Sequence, residues 1–113
     1  MTTDYSTIKV AFPYRGGIRF FNPEQIVRLQ SDSNYTHVYF TDQKPIMVAR
    51  VLADYAAILE PIGFIRTHRS HLINKIHVTE IKANNIIMDD NSQAEISRRK
   101  RHEVVKTLVD QAA

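Results

Sequence analysis

The chain has 113 residues, enough for one domain with a hydrophobic core of its own. It contains no cysteine, which excludes a disulfide framework, a thiolate nucleophile and a cysteine zinc site. No apolar run approaches the length of a membrane span, and the first residues lack the form of a signal peptide. We therefore expect a cytoplasmic protein.

The positive charge is concentrated in the second half of the chain. Residues 1–60 carry six Lys/Arg and six Asp/Glu, whereas residues 61–113 carry nine Lys/Arg against six Asp/Glu. The whole excess of the net charge of +3 therefore comes from the second half. A one-sided basic excess is typical of proteins that bind nucleic acid.

The first half of the chain predicts short strands followed by one helix. Alternation of apolar and polar residues predicts strands at 7–12, 18–21, 25–31, 35–41 and 46–49. Gly16 and Gly17 supply the positive φ of a tight hairpin turn after Pro13. Apolar residues then recur at a spacing of three and four over 52–59, which predicts an amphipathic helix packed on a sheet, ended by Pro61 and Gly63.

The second half predicts further strands and a C-terminal helix. The strands are expected at 79–83, 86–88 and 93–96, while 75–78 is ambiguous between a single turn and an extended link. The helix is predicted from Arg98 to about Val109. Ser97 is its predicted N-cap, because a hydroxyl can accept a hydrogen bond from a free amide of the first turn. We find no internal repeat or linker, so we predict a single domain over residues 1–113.

Residues 64–74 are the most distinctive stretch of the sequence. Phe64, Leu72 and Ile73 are apolar anchors. Six donor-rich side chains lie among them: Arg66, His68, Arg69, Ser70, His71 and Asn74. Each would need a partner of its own if it were buried. We therefore expect them to be displayed to a ligand that accepts hydrogen bonds and is negatively charged, such as nucleic acid. The alternative is a solvated polar loop between two core elements.

Four consecutive cations, Arg98-Arg99-Lys100-Arg101, fill the first turn of the predicted C-terminal helix. A helix N-terminus carries about half a positive charge, so each cation there is unfavourable by roughly 0.3–1 kcal/mol at low salt. A polyanion on the helix start would reverse this sign, because the free amides, the dipole and all four cations would point at phosphate. A merely solvated charge run is the alternative.

The sequence offers little support for catalysis or metal binding. His68 and His71 are three residues apart, with His77 further on, but no nearby carboxylate completes a ligand set. Ser70 lacks the glycine pattern of a nucleophile elbow, and the three glycines form no phosphate-binding loop. We therefore predict no enzyme activity, no metal and no cofactor.

The order and spacing of several blocks resemble the LytTR domain, the DNA-binding output module of many bacterial response regulators. The blocks are 26–27 with Tyr35 and Val38, then 64–74, then 96–99, and the resemblance covers roughly residues 7–109. It implies a mainly β fold, an elongated stack of small antiparallel sheets with one short mid-chain helix and a C-terminal helix. Many members also have an N-terminal receiver domain, which we do not expect in the few residues before the first strand.

The resemblance also implies the residues that contact DNA. Loops of such domains enter two successive major grooves. Base contacts are implied for Asn34, Tyr35, Arg69 and Arg98. Contacts to the DNA backbone, or support for them, are implied for His68, Ser70, Asn74, Ser97, Arg99, Lys100 and Arg101. Asn74 could equally brace its loop through hydrogen bonds to the backbone.

We therefore expect a sequence-specific transcription regulator that binds double-stranded DNA. A lone module with few phosphate contacts binds modestly, so we expect two copies on repeated half-sites, with a homodimer on DNA as one arrangement. No membrane or small-molecule substrate is expected. One rival is a protein–protein interaction module whose basic face binds an acidic partner. Another is a single-stranded RNA binder that stacks bases on Tyr35 and Tyr39.

Overall fold

The computed structural model describes residues 8–112, and within them the chain forms ten strands and two α-helices. The strands are β1 (Val10–Tyr14), β2 (Gly17–Phe21), β3 (Ile26–Asp32), β4 (Tyr35–Phe40), β5 (Ile46–Val48), β6 (Phe64–His68), β7 (His71–Asn74), β8 (Val78–Lys82), β9 (Asn85–Met88) and β10 (Gln93–Glu95). The helices are α1 (Leu52–Leu59) and α2 (Arg101–Asp110).

The strands form three antiparallel sheets. A central five-stranded sheet has the order β5-β4-β3-β7-β6, while β1-β2 and β10-β9-β8 form the two smaller sheets. The described part of the chain measures 41 × 38 × 24 Å. The predicted fold class, a mainly β stack of small antiparallel sheets with a mid-chain and a C-terminal helix, is confirmed.

The central sheet has a hydrophobic core on each face. Leu29 and Leu72 lie in the first core, which includes the buried face of α1 and the β1-β2 hairpin. Val27 and Ile73 lie in the second core, which includes β9, β10 and Val104 of α2. Successive apolar residues along each central strand point to opposite cores, so the sheet is packed on both faces. Neither described helix is long and apolar enough to cross a membrane.

Most element boundaries agree with the sequence predictions within two residues, with three differences. The first predicted strand begins at a residue outside the described range, and β1 continues through Pro13 and Tyr14, so the hairpin turn shrinks to Arg15 and Gly16. The ambiguous segment 75–78 is a 3-10 turn that leads into β8. The predicted C-terminal helix begins with a 3-10 turn at Arg98–Lys100 before α2.

The donor-rich stretch 64–74 is a β-hairpin, β6–β7, and not a polar loop. Its turn is formed by Arg69 and Ser70 alone. The hairpin forms because the stretch contains side chains of two kinds. Phe64, Thr67 and Leu72 are buried, whereas Arg66 and His68 are only partly buried. An extended strand can therefore bury part of a polar sequence and still present the rest.

Candidate nucleic-acid interface

Two turns of the central sheet lie at the same end of the molecule. Strand β3 pairs with β4 on one side and with β7 on the other. The amide of Ser31, near the end of β3, donates to the carbonyl of Ser70 over 2.9 Å. The β3–β4 turn therefore places Asn34 and Tyr35, which are both exposed, at the sheet end where the β6–β7 turn presents Arg69.

The β6–β7 turn is held in shape by its own side chains. Nη2 of Arg66 donates to the carbonyl of Arg69 over 2.7 Å. The amide of Ser70 donates to Nδ1 of His68 over 3.1 Å. Arg69 itself is exposed, and among residues 8–112 its guanidinium has no hydrogen-bond or carboxylate partner. The turn thus fixes the backbone of Arg69 and leaves its side chain available to a ligand.

The segment before α2 is fastened directly onto β6. The amide of Ser97 donates to the carbonyl of Thr67 over 2.8 Å, and the buried hydroxyl of Thr67 donates to the carbonyl of Glu95 over 2.8 Å. Nζ of Lys100 donates to the carbonyl of Arg66 over 3.2 Å. Oγ of Ser97 accepts from the amide of Lys100 over 3.3 Å, so the predicted N-cap is confirmed.

These contacts create one open cleft, of about 540 Å³, between the β6–β7 turn and the start of the C-terminal helix. We call it the basic cleft. Its lining consists of Arg66, His68, Arg69, Ser97, Arg99 and Lys100. Four of these side chains are permanent cations, and no carboxylate from the described part of the chain is among them. Closely spaced cations beside hydroxyl and imidazole donors suit a strand of phosphates.

Arg98 points away from the basic cleft into an adjacent one. This second cleft, of about 420 Å³, is also lined by His68, Glu95 and Ser97. Oε2 of Glu95 lies 3.5 Å from Nε2 of His68, so the second cleft contains a negative charge. Arg98, which the resemblance paired with Arg69 as a base contact, therefore does not share a cleft with Arg69, whereas Arg99 does.

Arg101 lies outside both clefts. Its Nη1 donates to the carbonyl of Ala83 over 2.8 Å, which ties α2 to the turn between β8 and β9. The four cations of the run do not all line the basic cleft, since successive residues of a helical turn point about 100° to 120° apart. Arg99 and Lys100 face the basic cleft, and Arg98 and Arg101 do not.

The position of Asn74 does not agree with the predicted contact to the DNA backbone. Its side chain is only 4% exposed. Nδ2 donates to the carbonyls of Pro23 and Ile26 over 3.1 and 3.0 Å, and Oδ1 accepts from the amide of Ile76 over 3.4 Å. All of these partners belong to the protein, so the bracing alternative is the one that the structure supports.

Arg66 has a part in the site that the resemblance did not assign to it. Its side chain lines the basic cleft and holds the turn of Arg69. The signal for this part was its place among the donor-rich side chains of 64–74, which we expected to face a ligand.

His71 behaves as a neutral side chain next to this site. Burial, together with the neighbouring Arg28 and His68, lowers the pKa of His71 to about 4, and the carboxylate of Glu95 opposes this shift. Its ring centroid lies 5.6 Å from that of His68. The described residues contain no group of three or more histidine, aspartate and glutamate side chains that could hold a metal ion.

The fold and the basic cleft define a small β-rich domain that presents an anion-binding face built from turns. The family model of the LytTr DNA-binding domain matches residues 16–109, and the chain belongs to this family. A solved LytTr DNA-binding domain of a response regulator from Bacillus cereus superposes with a TM-score of 0.70 at 19% identity, covering 89% of this chain and 95% of that domain. At this identity the likeness concerns the fold.

One curated relative is the heme-containing CO-sensing transcriptional regulator RcoM 2 of Paraburkholderia xenovorans (strain LB400). It is 30% identical to this chain over 77 residues, which are 65% of the chain and 28% of the relative. The matched part is therefore under a third of that longer protein.

Proposed function

We propose that the chain binds double-stranded DNA in a sequence-specific manner, as the DNA-binding part of a transcription regulator. Membership of the LytTr DNA-binding domain family supports DNA as the ligand, and the name of the curated relative supports a role in transcription. The observation that carries the proposal is the basic cleft, where four cations from two separate segments line one concavity.

The proposed roles follow from where each side chain lies. Arg69 and Arg99 are the candidates for bidentate contacts to guanine, each worth roughly 1–3 kcal/mol of discrimination. Asn34 and Tyr35, on the neighbouring turn, are the candidates for a second set of base contacts. The proposed backbone contacts come from His68, Ser70, Ser97 and Lys100. Arg98 would reach the duplex only from the adjacent cleft.

Two contact regions at one end of the sheet support a reading of successive major grooves. The longest dimension of the described chain, 41 Å, is comparable with one turn of duplex, about 34–36 Å. Two copies on repeated half-sites remain part of the proposal, because a lone module with few phosphate contacts binds modestly.

The geometry disfavours the single-stranded RNA alternative. Tyr35 is 44% exposed, but the ring of Tyr39 is covered by the guanidinium of Arg28, which lies 4.0 Å from the ring centroid. The two tyrosines therefore do not offer the pair of free ring faces that base stacking needs.

The test is selection of bound sequences from a random duplex pool with the whole chain, followed by binding titrations on the selected duplex. We expect Arg69→Ala and Arg99→Ala to relax the preference at single base positions. Arg19→Ala is the matched control, because Arg19 is an exposed arginine of β2 that donates to Gln43 over 3.2 Å, and its loss should leave binding unchanged.

Two results would contradict the proposal. The first is a pool that yields no preferred sequence at fixed salt. The second is an equal loss of affinity for Arg19→Ala and for Arg99→Ala, since this would mean that binding depends on total charge and not on the basic cleft.

A further inference from the structure

The face of α2 that points away from the basic cleft forms an open groove of about 640 Å³, which we call the α2 groove. Its apolar part consists of Val105 and Val109, one helical turn apart. Val109 is 62% exposed, and Val105 is half-buried.

The apolar surface continues past Val109. A second groove, of about 570 Å³, shares Val109 and adds Ile76, Ile81 and Leu108. Ile76 is itself 59% exposed. The two grooves thus form one apolar strip along α2, and exposed apolar strips rimmed by polar residues mark interaction sites.

The rim of the α2 groove is positive. Arg98, Arg101 and Lys106 line it together with a single carboxylate, that of Asp110. The carboxylate and Lys106 form an ion pair, since Nζ of Lys106 lies 2.6 Å from Oδ2 of Asp110, so the positive charge of the rim comes from Arg98 and Arg101. Arg101 is fixed in place by its hydrogen bond to the carbonyl of Ala83. The rim therefore presents cations in defined positions beside an apolar floor.

This combination distinguishes the α2 groove from the basic cleft. Phosphates and base edges are bound by polar donors, which the basic cleft supplies and an apolar floor does not. An amphipathic helix with acidic residues along its flank would place apolar side chains on Val105 and Val109 and carboxylates against the rim.

We propose that the α2 groove is the docking site for an acidic amphipathic helix of a partner protein. Arg99 and Lys100 face the basic cleft from the other side of the same helical segment, so both surfaces can be occupied at once. Only this simultaneous occupancy rests on the proposed DNA binding; the docking itself is expected without DNA.

The probe is a phage-displayed library of random peptides long enough for about four helical turns, selected on the whole chain without DNA. We expect enriched peptides with apolar residues at spacings of three and four and with Asp or Glu beside them. A labelled enriched peptide is then titrated against variants. Val109→Glu should weaken its binding at least about tenfold, and Arg101→Gln, which removes a rim cation that has no carboxylate partner among residues 8–112, should weaken it several-fold.

The matched control is Ile58→Glu on α1, which introduces the same charge at an apolar helix position that is 50% exposed. It should leave peptide binding within about twofold. Circular dichroism and duplex binding are measured on every variant, and both should be unchanged for Val109→Glu. Failure of DNA binding in the wild-type chain would thus be seen separately from failure of peptide binding.

Three outcomes would overturn the proposal. In the first, the library yields no acidic amphipathic consensus. In the second, Val109→Glu and Ile58→Glu weaken peptide binding equally. In the third outcome, a saturating duplex displaces the peptide competitively, which would make the α2 groove part of the DNA-binding surface.

Discussion

Replacement of Asn74 by alanine distinguishes the two roles considered for this residue, a brace within the protein and a contact to the DNA backbone. The change removes two donated hydrogen bonds to the carbonyls of Pro23 and Ile26 and one accepted from the amide of Ile76. Each net hydrogen bond contributes about 1 kcal/mol, and a buried acceptor left without a partner adds to the loss. We therefore expect Asn74→Ala to lower the free energy of unfolding by about 3 kcal/mol, which is roughly 12 °C in Tm for a domain of this size.

The assay is urea denaturation followed by circular dichroism, combined with duplex titrations well below the Tm. A brace that does not touch DNA should leave the affinity for the duplex unchanged at fixed salt, whereas loss of a contact to phosphate would weaken binding to all duplexes alike. Asn84→Ala is the control for stability, because Asn84 is exposed in the turn before β9 and its side chain makes no hydrogen bond within residues 8–112. A weaker affinity for the duplex with little loss of stability would refute the reasoning.

Three further predictions concern other contacts. Lys100→Ala should weaken binding to all duplexes alike and lower the salt slope by about one in titrations over salt, and a loss confined to one sequence would contradict this. The pKa of His71 is lowered in the folded state, so the folded chain binds this proton less readily than the unfolded chain does. Stability should therefore be lost as the pH falls from 6.5 towards 4. His71→Gln should remove this part of the pH dependence in denaturation at pH 5 and 7, and an unchanged profile would contradict it. Arg28→Met should destabilise the chain by about 2 kcal/mol without changing sequence preference, because Nε of Arg28 donates to Oγ of Ser92 over 2.8 Å and its guanidinium stacks on Tyr39. Equal melting of the variant and the wild type would rule out this role.

Local patterns in the sequence were sufficient for most elements. Alternation located the strands of the central sheet, and the hydroxyl of Ser97 located the start of the C-terminal helical segment, because both depend on residues close together in the chain. The hairpin at 64–74 was harder. Its polar residues include Thr67 and Asn74, which are buried because they satisfy backbone groups of distant segments.

The division of the cation run between several clefts follows from helix geometry. Four consecutive residues of any helical turn point in different directions, so Arg98-Arg99-Lys100-Arg101 cannot all line one small cleft. The sequence could not predict which cations of the run lie beside Arg69. That depends on the hydrogen bond between Ser97 and Thr67, which sets the rotation of the helix start relative to β6.

Two of the four cations of the basic cleft are oriented by neutral groups, and this explains how the fold can fix them without cancelling their charge. Arg66 and Lys100 donate to backbone carbonyls. By contrast, Arg50 just before α1 and Lys106 on α2 pair with carboxylates four residues further on. A carbonyl restrains a guanidinium or an ammonium and removes little of its field, whereas a carboxylate neutralises it. The basic cleft therefore keeps a positive potential on a rigid frame, which lets an incoming phosphate strand supply the missing counter-charge with little loss of side-chain entropy.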